Sequence, residues 1–147
     1  MRATTAGRGL SSTGYRFVLA IVALSLAHHV DHVLRGVTGW PLSGGLNPFT
    51  ASLLVYPVVL CGLLFSRNGR IGPVFWVILA GGGAIFILLI HFGPVAGDSV
   101  TDIPDQYDSA VAEVAALLIL AALGLALVAH CVYEARLFRL GGTTSER

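Results

Sequence analysis

The run His28–His29–Val30–Asp31–His32, followed by Arg35, places six ionisable or neighbouring positions inside an otherwise apolar stretch. His28 and His32 stand at i and i+4, so on a helix their rings project from one face about 6 Å apart. That spacing suits two imidazoles on one metal ion. His91, in Ile90–His91–Phe92–Gly93–Pro94, is available as a third ligand, with Glu113, an aspartate or water as the fourth. Three protein ligands and an open position is the pattern of catalytic zinc. All-imidazole ligation also suits copper, iron or nickel, and axial histidines from two helices would suit haem. Ligand nitrogens within about 4 Å of one another would fit a shared ion, since each metal–nitrogen bond is near 2.1 Å.

His29, Asp31, Arg35, Tyr56 and Glu113 are expected around these ligands, orienting an imidazole through its second nitrogen or relaying protons. Two other readings use the same residues. Asp31 and Arg35, also at i and i+4, can neutralise each other in a purely structural cluster. Histidines that titrate near neutral pH can also build a proton-linked network.

The wheel assigns these groups to one side of the first helix. At about 100° per residue, Ser25, His28, His29, Asp31, His32 and Arg35 share a hemisphere, and Leu26, Ala27, Val30, Val33 and Leu34 occupy the other. Counting helical rise puts His32 and His91 within about 5 Å of the same depth, with Glu113 and Tyr56 close by. Four helices then offer polar groups to one pocket.

The elements that must position them are membrane spans. The 147 residues are 55% hydrophobic and only 12% charged, with a mean hydropathy of +0.80. A soluble domain carries about a quarter charged residues, and a disordered chain would be poor in Leu, Ile, Val and Phe. Both classes are excluded. A bilayer core about 30 Å thick needs roughly 20 apolar residues per helix, and four stretches, about residues 15–35, 49–65, 71–92 and 109–134, approach that length. Backbone amides in hydrocarbon must be satisfied within the segment, so the expected fold is all-α, an integral membrane four-helix bundle across residues 15–140. Residues 1–14 and 141–147, rich in Gly, Ser, Thr and Arg, are expected to be flexible tails.

Eight of the nine arginines flank one side of these spans, and only Arg35 lies on the other. The positive-inside tendency puts both termini in the cytoplasm of a multi-pass cell-membrane protein. Tyr15, Trp40, Phe49, Trp76, Tyr107 and Tyr133 fall near expected interfaces. Residues 1–27 also fit a cleavable secretory signal ending at Ser25–Leu26–Ala27, but apolar character resumes at Val30 and completes a full span.

The remaining polar residues read more simply. Asp98, Asp102, Asp105 and Asp108 lack a calcium-loop pattern and read as a solvated loop, with a lid over the pocket as the sharper alternative. His130 reads as an interfacial side chain, Glu134 as part of a solvated face with Arg136 and Arg139, and Cys61 as a small buried hydrophobe. Gly81–Gly82–Gly83–Ala84 reads as close helix packing, or as room for a flat cofactor.

A net charge of +1 gives no reason to expect nucleic acid, and no nucleotide-binding loop, nucleophile elbow or H-E-x-x-H is present. Three functions remain. The first is a protein dependent on zinc, copper, iron or haem, an oxidoreductase or hydrolase acting on a lipid-soluble small molecule. The others are a small transporter or proton-relay subunit, and a non-catalytic partner of other membrane subunits. All three have the lipid bilayer as their surroundings.

Overall fold

The structure, a computed structural model, describes residues 9–38, 47–93 and 98–142, the last two as backbone only. Most of both expected tails, and Trp40, lie outside these residues. The described residues form five α-helices and one short 3₁₀ turn, with no strand among them: α1 Ser12–Leu34, α2 Pro48–Ser52, α3 Val55–Arg67, α4 Pro73–Phe92, the turn Pro104–Gln106, and α5 Ala110–Gly142. Taking α2 and α3 as one segment, four helices are long and apolar enough to cross a membrane.

Local chemistry fixes the ends. Ser11 caps α1 by accepting the Gly14 amide at 3.0 Å, and its hydroxyl lies 2.8 Å from the Tyr133 hydroxyl on α5. The far end of α1 closes on Gly36, whose φ of +72° only glycine adopts without strain. There the Val37 amide donates to the His32 carbonyl at 2.9 Å, and that of Gly36 to Val33 at 3.1 Å. Gly69, φ +66°, closes α3 in the same way, with the Arg70 amide donating to Phe65. Pro73 opens α4 where a missing amide hydrogen costs nothing.

The second span, expected as one helix, is broken at Leu53–Leu54. Pro57 is the cause: it has no amide hydrogen for the Leu53 carbonyl, and its ring would crowd that carbonyl in a continuous helix. The Tyr56 amide bonds Leu53 instead, at 3.3 Å. A reciprocal cap between Asn47 and Thr50 starts the short α2 before the break.

α5 packs along both α1 and α4, whereas the α2–α3 segment approaches its neighbours closely at few points. Three apolar clusters follow the bundle axis: Val18, Val59 and Trp76; Ala80, Ala84, Leu123 and Leu127; and Ile103, Ala116 and Leu120. The outer surface is apolar, with Leu34, Ile78 and Leu125 each about 70% exposed, while His28, Asp31, His32, His91, Asp98, His130 and Glu134 are buried. This reverses the distribution of a water-soluble protein, and it is the one a lipid solvent selects.

Two sequence expectations give way here. Trp76, expected at an interface, is core: it is 2% exposed, and its indole donates to Ser66 Oγ at 3.0 Å, joining α4 to α3. Cys61, expected to be buried, is exposed on the outer face of α3.

Candidate metal centre

α1 carries its polar groups on the inward face, as its wheel requires. His28, Asp31 and His32 are buried, whereas Leu26, Val30, Val33 and Leu34 are exposed. His91, in the last turn of α4 and 2% exposed, lies at the same end of the bundle. The three imidazoles converge through their Nε2 atoms: His28 Nε2 lies 3.2 Å from His32 Nε2 and 3.2 Å from His91 Nε2. One ligand atom from each ring lies within 4.8 Å of the others, a set able to hold a metal ion.

Proton counting makes this an unusual contact. His91 Nδ1 donates to the Asp98 carbonyl at 2.7 Å, so the Nε2 of its neutral ring is a lone pair. A single hydrogen on His28 Nε2 points along one line and cannot serve both 3.2 Å contacts well. The Nδ1 atoms of His28 and His32 are buried without a hydrogen-bond partner. A cation among the three Nε2 atoms would use every lone pair at once.

Beside the triad sits a charged clamp. Arg35 Nη1 and Nη2 donate to the two Asp98 carboxylate oxygens at 2.6 and 2.8 Å. Its Nε and Nη2 donate to Asp31 Oδ2 at 3.0 and 2.7 Å, and Nη1 also reaches Gln106 Oε1 at 2.7 Å. Tyr107 donates its hydroxyl to the other Asp31 oxygen. Asp98 Oδ2 in turn lies 3.6 Å from both His32 Nε2 and His91 Nδ1. One guanidinium against two carboxylates leaves a net charge of −1 next to three neutral rings, which favours a cation there.

Burial alone would raise the Asp98 carboxyl, but the bonded Arg35 guanidinium outweighs it and holds Asp98 below the ordinary aspartate range. Burial likewise opposes the Arg35 charge, and its bonds to Asp98 and Asp31 more than restore it. Burial and the bond to Asp31 raise the Tyr107 phenol.

The other expected residues divide. His29 is half-buried and both its nitrogens are engaged: Nε2 lies 2.7 Å from Ser52 Oγ, and Nδ1 lies 2.7 Å from both the Ser25 carbonyl and the Tyr56 hydroxyl. The break at Leu53–Leu54 brings Ser52 and Tyr56 to it. Glu113 takes no part: half-buried in the first turn of α5, it has no side-chain bond to the cluster. Its expected place beside the triad belongs to Asp98, which had read as solvated loop and is 5% exposed. The signal in the sequence was Arg35, a cation at the end of an apolar helix that needs more than one carboxylate.

His130 and Glu134 also depart from expectation, each only 1% exposed rather than interfacial or solvated. His130 lines the opposite end of a cavity of about 400 Å³ that reaches the triad, and Glu134 stands behind it with Oε1 3.5 Å from Nε2. Gly82 lines that cavity and leaves open space where a side chain would stand, whereas neighbouring Ala80 and Ala84 pack on Leu123 and Leu127. No protein-family model, curated protein or solved structure matches the chain.

Proposed function

We propose that this is a multi-pass membrane protein with a three-histidine metal centre, His28, His32 and His91, that acts on a lipid-soluble small molecule. The convergence of three buried Nε2 atoms carries the reading. With metal–nitrogen bonds of about 2.1 Å, nitrogens 3.2 Å apart subtend about 100° at the ion, near the tetrahedral angle. Three ligands clustered on one side of an ion leave its other side open. All three histidines line the apolar cavity, where a bound ion would polarise a carbonyl or activate a bound oxygen for hydrolytic or redox chemistry. Haem fits less well, because two axial imidazoles need to stand on opposite faces of a porphyrin. Zinc suits three neutral imidazoles best, with copper and iron as the alternatives.

The orientation belongs to the same proposal. Arg16, Arg67, Arg70, Arg136 and Arg139 flank the end opposite the triad, so the tendency of cytoplasmic loops to be basic puts both termini inside and the metal centre beneath the extracytoplasmic surface of the cell membrane. A proton relay is the second reading, supported by the gathering of Tyr107, Asp31, Asp98 and the three histidines around Arg35, with Asp98 Oδ2 3.6 Å from His32 Nε2 and His91 Nδ1.

Zinc analysis of purified protein after dialysis decides between them. The metal reading expects about one zinc per chain, and background zinc in His91→Ala. Background zinc in the parent protein as well overturns it and leaves the relay.

A further inference from the structure

The metal centre uses only one end of the cavity. At the other end His130 Nε2 and Glu134 Oε1 stand 3.5 Å apart, both buried and both without a hydrogen-bond partner. The His130 ring is held face to face with Phe17 at 5.5 Å, interplanar angle 12°, and lies 6.0 Å from Trp76. It lines the cavity together with Val18, Val59 and Leu127. Glu134 stands behind the ring at Nε2, outside the cavity lining, and the other ring nitrogen, Nδ1, has no hydrogen bond among the described residues. A polar atom so placed on an otherwise apolar wall is costly unless something bonds to it.

The dimensions restrict what that is. Phe17, level with His130, is eleven residues before His28 on α1, so the two polar ends are about 16 Å apart. A cavity of about 400 Å³ between those ends has room for an extended hydrocarbon chain. With carbon–carbon bonds of about 1.5 Å, an extended chain of about a dozen carbons spans the distance. Such a molecule has a way in from the bilayer: Ile78 and Phe86 line the cavity yet are 68% and 38% exposed.

We infer that the cavity binds a single-chain amphiphile of about a dozen carbons with an oxygen function at each end. One end takes the open position on the metal, and the other is a hydroxyl or carbonyl that hydrogen-bonds to His130. Only the first end rests on the metal reading; the second rests on His130, Glu134 and the cavity.

The test uses the full chain in lipid nanodiscs, loaded with Co(II), in a Trp40→Phe background so that Trp76 is the sole tryptophan. Dodecanoate and 12-hydroxydodecanoate are titrated, with the cobalt spectrum reporting the head and Trp76 fluorescence reporting the far end. The hydroxylated chain is expected to bind about five-fold more tightly, the worth of one hydrogen bond. The preference disappears in His130→Phe, which keeps an aromatic ring against Phe17, and is absent between octanoate and 8-hydroxyoctanoate, which are too short. Equal affinities for the two dodecyl probes, a preference that survives in His130→Phe, or a failure of either probe to bind overturns the inference. A cobalt spectrum that never develops counts against the metal reading alone, because Trp76 still reports the His130 end.

Discussion

Asp98→Asn isolates the electrostatic support of the metal centre without touching a ligand. The substitution keeps the backbone carbonyl that accepts from His91 Nδ1, so the orientation of that ring survives. It removes a negative charge whose Oδ2 lies 3.6 Å from the ligand atom His32 Nε2, and therefore about 5 Å from an ion bonded to that nitrogen at about 2.1 Å. At an effective dielectric constant of about 20, that separation is worth about 3 kcal/mol per unit of ion charge. Arg35, bonded to the same carboxylate, cancels much of it. A net loss of about 1.4–2.7 kcal/mol remains, a 10- to 100-fold fall in affinity and the range found when carboxylates supporting metal-bound histidines are removed. Competition against a chelator of known affinity measures it. Asp102→Asn, exposed in the same loop, is the control and is expected to bind like the parent. Affinity within two-fold of the parent in Asp98→Asn, or an equal loss in both variants, refutes the assigned role.

Three further outcomes follow from the packing and charge. Arg35→Met strands two buried carboxylates and is expected to destabilise the fold by about 3 kcal/mol in denaturant unfolding; a change under 0.5 kcal/mol counts against the clamp. Because Asp98 is held below its ordinary value of 3.8, its stabilisation is complete above that pH and is lost as pH falls through the folded value. Unfolding temperature is thus expected to be insensitive to Asp98 between pH 7 and 5 and to fall below about pH 4, with a smaller fall in Asp98→Asn. Gly62→Ala drives a methyl to 2.6 Å from a Phe75 ring carbon and 3.0 Å from Trp76, costing about 1–3 kcal/mol and shifting Trp76 emission; unchanged stability means that the α3–α4 contact is looser than described.

Much of this was legible in the sequence, for physical reasons. A single helix face is a matter of local periodicity, so the inward groups of α1 followed from the wheel. Helical rise sets depth, so His91 could be matched with His28 and His32 before any packing was known; two of the nitrogen pairs are 3.2 Å apart, inside the expected 4 Å. Depth does not say which way a side chain turns, and Glu113 failed there: it begins α5 at a suitable level but joins no bond of the cluster. The burial of Asp98, His130 and Glu134 depended on which helices become neighbours. That α5 lies between α1 and α4 is a property of the whole bundle and leaves no trace in local pattern. The break before α3 did have a signal, Pro57, that hydropathy averaging conceals.

X-ray absorption at the zinc edge of the loaded protein tests the metal centre most directly. Three imidazole nitrogens at about 2.0–2.1 Å with a lighter oxygen donor are expected, falling to two imidazoles or to no bound zinc in His28→Ala. A shell of oxygen or sulfur donors without imidazole scattering, or a spectrum unchanged in His28→Ala, would contradict a centre built on His28, His32 and His91.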